Sequence, residues 1–235
     1  MTARVYRLFD RLAAAALPAR CVLCHGPGQP PSLDLCAACE ADLPWLAGAC
    51  ARCGEPSAEP CACAGLARPY ARCHAAFDYA FPLDRLVQAL KYEGALANAR
   101  VLGHALAQSL RRAAREADVD AIVPVPLHRA RLVERGFNQS LEIARFTADR
   151  LDLVVDGRAL RRLRVTTPQV GLTRAERAAN VRKAFAADRS RVAGRHVALL
   201  DDVVTTGATS AAAADALLAA GAVTVDVWCV ARAAA

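Results

Sequence analysis

The sequence predicts an α/β domain with a mostly parallel sheet, preceded by a small cysteine-rich unit. Three observations carry this. Nine of the 10 cysteines fall between Cys21 and Cys73. Beyond Cys73, short apolar runs alternate with helical patterns, the order of β-α units around a parallel sheet. A length of 235 residues suits one main domain plus a small accessory unit.

The elements follow in chain order. Residues 1–18 carry Arg4, Arg7 and Arg11 ahead of an interrupted apolar stretch and are expected to form an N-terminal helix. That stretch is too short and too broken for an export signal. Residues 19–73 form the cysteine-rich region, and residues 74–235 the α/β domain. His74–Phe81 reads as an entry strand. Pro82 opens a short helix with Leu83, Leu86, Val87 and Leu90 on one face. A longer helix follows over Ala95–Ala114. Asp120–Pro126 is a buried strand stopped by two prolines. A helix with a polar start runs from Asn138 to Leu151. His196–Asp202 is an apolar strand ending in carboxylates, Ser210–Gly221 a helix closed by glycine, and Val223–Arg232 a final strand.

The cysteines come in close pairs: Cys21/Cys24, Cys36/Cys39, Cys50/Cys53 and Cys61/Cys63, with Cys73 following. Paired knuckles separated by short loops have the spacing of tetrahedral zinc sites. Cys21, Cys24, Cys36 and Cys39 are expected to hold one Zn²⁺. Cys50, Cys53, Cys61 and Cys63 are expected to hold a second, with Cys73 as the alternative to Cys61 or Cys63. Gly26, Gly28, Gly54 and Gly65 follow the knuckles and allow the chain to turn beneath the metal. A region this poor in large apolar residues needs such a staple, so the zinc is structural. A disulfide framework would require export; a reducing, cytoplasmic setting is expected instead. Cys229 lies in an apolar strand and reads as an inert core thiol.

Hydrophobic residues make up 55% of the chain and charged residues 23%, which excludes a disordered chain or a coiled-coil rod. No apolar run approaches the roughly 20 residues of a membrane span. The net charge is +7, and Lys91 and Lys183 are the only lysines. An arginine-rich basic chain favours an anionic partner, either a phosphorylated small molecule or a nucleic acid.

The sharpest segment is Val197–Ala214. An apolar strand runs into Asp201 and Asp202, and a short threonine-glycine loop then opens a helix. Ligands of open α/β sheets bind at the carboxyl ends of strands, where this loop must lie. Thr205, Thr206 and Thr209 offer hydroxyls, and Gly207 lets the backbone wrap an anion closely. The helix start supplies free N–H groups and a positive dipole end, so the loop is a phosphate cradle. The carboxylates beside it can accept hydrogen bonds from sugar hydroxyls or help hold Mg²⁺ through water. A phosphate next to a diol is a ribose 5-phosphate.

A second cluster, Val123–Ser140, begins at another strand end and should open on the same crevice. Arg129, Arg131 and Arg135 can neutralise a pyrophosphate, and Asn138 and Ser140 can start the next helix. The segment Arg158–Phe185 is rich in cations, and Thr166–Gln169 break it into a loop. It is expected to act as a lid over the pyrophosphate or as a track for nucleic-acid phosphates. Lys91, with Tyr92 and Gly94, forms a further polar spot that can reach a ligand. Trp45, Tyr70 and Phe77 are the few aromatics available for base stacking.

Val197–Thr209 resembles the signature of the type I phosphoribosyltransferases. That resemblance implies that Asp201 and Asp202 bind the ribose hydroxyls of phosphoribosyl pyrophosphate. It also implies that Thr205, Thr206, Gly207, Ala208 and Thr209 bind its 5-phosphate, and that Leu127, His128 and Arg129 form a pyrophosphate loop. The knuckles, LKYEG from Leu90, Val123–Ser140, Thr166–Phe185, Leu199–Thr209 and the closing VWCVAR together resemble the ComF family over nearly the whole chain. This implies a zinc ribbon joined to a type I phosphoribosyltransferase-like domain, with Mg²⁺ accompanying the ligand. It further implies a part in natural competence: handling single-stranded DNA at the inner face of the membrane, beside uptake helicase or recombination proteins. Cys61-x-Cys63 departs from the C-x-x-C of relatives. The motifs fix no acceptor, leaving open an active transferase in nucleobase salvage or a non-catalytic sensor.

Overall fold

The computed structural model describes residues 19–29, 33–56, 61, 63, 68–115, 118–164 and 184–233. The expected N-terminal helix over residues 1–18 and the basic loop over residues 165–183 lie outside the described residues.

Four parallel strands form the main sheet in the order β1-β6-β5-β2. They are β1 (Arg72–Asp78), β2 (Ala121–Pro124), β5 (His196–Val204) and β6 (Thr224–Arg232). β5 and β6 are central, with Leu200 opposite Trp228 and Asp201 opposite Cys229. Alternate residues of β5 feed two cores. Ala198 and Leu200 face a cluster built from α2 (Leu83–Gln88), α3 (Leu96–Arg112) and α5 (Gln139–Leu151). Val197 and Leu199 face a second cluster built largely from α7 (Ala208–Ala219) and a two-stranded hairpin, β3 (Leu160–Arg162) with β4 (Phe185–Ala187). A sheet buried on both faces explains why its strands read as continuous apolar runs.

The cysteine-rich region is not a loosely tethered module. Leu35 and Leu43 are buried in the cluster that holds Phe77, Leu102 and Leu106. Cys36 caps the short helix α1 (Ala37–Ala41), its sulfur accepting from the Cys39 N–H. Trp45 bridges to Phe77 of β1, with ring centroids 4.4 Å apart. The second knuckle is tied in by an ion pair between Glu55 and the buried Arg232 of β6. Arg232 also donates to the Val204 carbonyl at 2.8 Å, at the end of β5.

Several elements differ from expectation. The first short helix ends in a π-turn over Ala89–Glu93, which sets the direction of Lys91 and Tyr92. α4 (Arg129–Arg135) buries no residue and so carries no apolar periodicity to detect. β3 and β4 are three residues each, too short to show a period, and they bracket the basic loop. β5 continues past the carboxylates to Val204, and α6 (Arg189–Val192) leads into it.

Candidate functional site

The carboxyl ends of β2 and β5 and the start of α7 surround one open cleft of about 340 Å³. Leu127, Lys91, Asp201, Asp202, Thr205, Thr206, Ala208 and Thr209 line it together. So do Arg131, Arg135 and Arg162, which gives four cations facing two carboxylates. Such a balance suits a ligand with several phosphate charges and a few hydroxyls.

Each group is held by its own local chemistry. The Asn138 side chain caps α5 by accepting from the Ser140 N–H at 3.1 Å and donates to the Val125 carbonyl at 3.1 Å. This joins the end of β2 to the helix start and delivers the Ser140 hydroxyl to Asp201 Oδ1 at 3.2 Å. Asp201 is buried, and burial together with the adjacent Asp202 carboxylate pushes its pKa up to about 7. Asp202 pairs with Lys91 Nζ at 2.7 Å. Burial alone would lower the pKa of Lys91; Asp202, helped by Asp201, outweighs it and raises the pKa.

Gly207 caps α7 in a left-handed conformation, φ +76°, with no side-chain cap behind it. The Thr206 hydroxyl lies 3.4 Å from the Ala208 N–H. A helix start with so little internal satisfaction presents N–H groups to an anion. The loop is backed by Arg68 and Tyr70, from the segment that leaves the cysteine-rich region.

The three residues expected to form a pyrophosphate loop do not share one placement. Leu127 reaches the cleft, but His128 is the N-cap of α4, its Nδ1 accepting from the Ala130 N–H at 3.2 Å. Arg129 is exposed and does not line the cleft; the helix turns Arg131 and Arg135 into it instead. Arg162 was not singled out from the sequence, since a cation within a cation-rich run carries no distinguishing signal. Of the aromatics considered for stacking, Tyr70 and Phe77 are buried, and Trp45 packs on Phe77.

The cysteines form two clusters, Cys21–Cys24–Cys36–Cys39 and Cys50–Cys53–Cys61–Cys63, each with its four sulfurs within 4.8 Å of one another. Cys24 and Cys36 are 3.7 Å apart, as are Cys50 and Cys63. Four sulfurs at about 2.3 Å from a central ion stand about 3.8 Å apart, so both sets fit tetrahedral zinc. Those separations are far too long for disulfides, and no cysteine forms one. Burial would raise the Cys21 pKa, but backbone N–H groups of Cys24, Cys36 and Leu23 aimed at its sulfur pull it down to about 6. Cys73 is not in the second set; it is buried in β1. Among the described residues of the knuckles, the left-handed ones are His25 and Gly54, so the first turn does not use Gly26.

We expect Cys21→Ser to lower the metal content of purified protein from two zinc ions per chain to one. Because Leu35 and Leu43 share the main core, it should also lower the melting temperature of the whole chain rather than of an isolated ribbon. Unchanged metal content would contradict this assignment.

The double zinc ribbon domain family matches residues 12–74. DNA utilization protein YhgH of Salmonella typhimurium is 35% identical over 223 residues, covering 92% of this chain and 98% of that protein. Competence protein F of Haemophilus influenzae is 31% identical over 219 residues, covering 90% of each. Among solved structures, the glutamine phosphoribosylpyrophosphate amidotransferase of B. subtilis matches with a TM-score of 0.39 and 25% identity, over 55% of this chain and 25% of that one. UMP synthase of Leishmania donovani matches with a TM-score of 0.34 and 20% identity, over 60% of this chain and 22% of that one. An α/β domain with a parallel sheet, preceded by a double zinc ribbon, is the class that this fold defines. Within it, the chain belongs to the ComF family, alongside YhgH and competence protein F. Among the described residues, no helix is long and apolar enough to cross a membrane.

Proposed function

We propose that this chain binds phosphoribosyl pyrophosphate at the β5–α7 loop and serves the use of incoming DNA. The observation that carries the first part is the meeting of Asp201, Asp202 and the threonine loop with Lys91, Arg131, Arg135 and Arg162 in one cleft. The carboxylates take the ribose hydroxyls, and the loop with the α7 start takes the 5-phosphate. Arg131, Arg135 and Arg162 take the pyrophosphate. Lys91 already neutralises Asp202, so the carboxylate pair alone would hold Mg²⁺ poorly, and the pyrophosphate of the ligand would supply its main oxygen ligands. The names of the relatives support the second part, a role in DNA utilization or competence; a cytoplasmic setting, with single-stranded DNA and uptake or recombination proteins as partners, is part of the same proposal.

Transfer of the phosphoribosyl group to a nitrogen nucleophile is the chemistry such a site can perform. Its contribution would be to position the sugar and stabilise departing pyrophosphate with arginine. Incubation with phosphoribosyl pyrophosphate, Mg²⁺ and a panel of bases, followed for pyrophosphate release, tests this. Release with one base selects a transferase. Saturable binding without release selects a sensor or DNA-handling factor, and absence of binding overturns the reading.

A further inference from the structure

A second cleft, of about 420 Å³, lies between the first cysteine knuckle and the C-terminal part of α3. One wall comes from the knuckle, the other from α3 and the end of α5. It shares no lining residue with the cleft at the end of β5.

Three guanidinium groups line it: Arg111 and Arg112 close α3, and Arg150 lies in the last turn of α5. Cations suit helix C-termini, which explains why each helix ends on arginine. It does not explain why the two ends meet at one cleft with no carboxylate between them. The Arg111 guanidinium donates to the Arg150 backbone carbonyl, so like charges are held side by side. Arg112 lies over the Trp45 ring, 5.4 Å from the centroid, and donates to the Gln108 side-chain oxygen at 3.0 Å. Glu40 is the one carboxylate among the described lining residues. It is engaged by two amides, accepting from Gln29 Nε2 at 2.7 Å and from the Gln108 amide at 3.1 Å. Among the described residues, none of the three arginines makes an ion pair. Other cations of the same two helices are paired, Arg100 with Asp34 and Arg145 with Glu142. The uncompensated charge is therefore gathered in one place rather than laid out as a track along the helices.

A second observation points to a ligand. His104 lines the same cleft, its ring edge-on to Phe146. Its Nδ1 is shut off from solvent and has no partner among the described residues. Burial, with Arg150 and Arg100 nearby, pushes its pKa down to about 4, so the ring is neutral near pH 7. A buried ring nitrogen left unpaired costs stability. A bound group that meets it and the arginines together accounts for both.

Three guanidinium groups offer more donors than one carboxylate can accept, whereas a diphosphate carries enough oxygens to engage them all. We propose that this cleft binds the diphosphate group of a small ligand, with Arg111, Arg112 and Arg150 on its oxygens and neutral His104 completing the shell. Leu33, Leu35 and Val101 give the cleft an apolar side for the rest of the ligand. The diphosphate comes either free or as the end of a nucleotide; both present the same oxygens. The site stands apart from the β5–α7 loop and does not rest on the ribose-phosphate reading.

The zinc-loaded full-length protein is titrated by calorimetry with inorganic pyrophosphate, with ADP and with an oligothymidylate. The comparison is with the double variant Arg111→Gln/Arg150→Gln. Both arginines are exposed, so the variant should keep its circular dichroism and zinc content. We expect pyrophosphate to bind the wild type saturably, and its affinity for this cleft to fall at least about tenfold in the double variant, the scale of one lost charge-assisted hydrogen bond. Where pyrophosphate also enters the cleft at β5, two binding sites per chain become one. Affinity for phosphoribosyl pyrophosphate at the β5–α7 loop should not change, since neither arginine lines that cleft. Tighter binding of ADP assigns the site to the end of a nucleotide, and equal or weaker binding assigns it to the free diphosphate. Pyrophosphate binding unaltered in the double variant, absence of binding, or a loss confined to the oligothymidylate overturns the proposal; the last would make the cleft part of a DNA surface. Failure of phosphoribosyl pyrophosphate to bind at the loop would leave this test intact, because the two arginines report on this cleft alone.

Discussion

Gly207→Val is expected to abolish detectable binding of phosphoribosyl pyrophosphate while leaving both cysteine clusters metal-loaded. The residue sits at φ +76°, where a side chain costs about 1–2 kcal/mol and a β-branched one more. From the sequence, the added side chain is expected to fill the space of the phosphate. The structure gives a different cause. A Cβ at this position points to the back of the loop, 2.9 Å from Arg68 Nη1 and 3.4 Å from the Tyr70 hydroxyl. The Arg68 guanidinium can swing aside, so the main cost is the left-handed backbone: valine drives the loop to another conformation and carries Thr205, Thr206 and the first N–H groups of α7 out of register. Several charge-assisted hydrogen bonds of about 1.5–3 kcal/mol each are lost together, a drop of at least about a hundredfold in affinity. Calorimetric titration, with circular dichroism and zinc content as controls, checks this. Wild-type affinity in a folded variant would place the phosphate elsewhere.

The two adjacent carboxylates should respond to amide substitution with opposite signs. Asp201 has its pKa raised by burial and by Asp202 to about 7 in the folded protein. Below the unfolded value of 3.8 it is protonated in both states and imposes no penalty. As pH rises from there through about 7, the unfolded chain ionises first, and stability is lost across that window. Asp201→Asn removes the penalty. Its melting temperature should exceed that of wild type at pH 8, by at most about 4 kcal/mol of stability, with the gain shrinking toward pH 4. Asp202→Asn instead strands the partly buried Lys91 ammonium and should destabilise by about 3 kcal/mol at most. Both should weaken ligand binding, less than Gly207→Val does, because the phosphate cradle survives. Denaturation curves at pH 4.5 and pH 8 read the two effects; a stability difference for Asp201→Asn that does not vary with pH would contradict the buried-carboxylate assignment.

The parts of this site that were legible in the sequence are those written in consecutive residues. The β5–α7 loop needs Asp201, Asp202, the threonines and Gly207 in one unbroken run, and the knuckles need two cysteines a few residues apart. The strands were legible because a sheet covered on both faces leaves uninterrupted apolar runs. What escaped depends on chain segments far apart. The pairing of Lys91 with Asp202 joins a π-turn to a strand end over a hundred positions downstream. Arg162 reaches the cleft from a three-residue strand with no period of its own. The choice of Arg131 and Arg135 over Arg129 depends on the phase of a short helix with no buried face. Tyr70 and Phe77 looked available for stacking because burial of an aromatic is a tertiary property. The support of Gly207 by Arg68 was hidden for the same reason.

The central claim is that the β5–α7 loop holds a ribose 5-phosphate group. Amide hydrogen exchange of the zinc-loaded wild-type protein, with and without saturating phosphoribosyl pyrophosphate and Mg²⁺, tests it most directly. The account predicts strong added protection over Thr205–Ser210, where the loop and the first N–H groups of α7 meet the phosphate. Saturable binding with exchange over Thr205–Ser210 unchanged would contradict it.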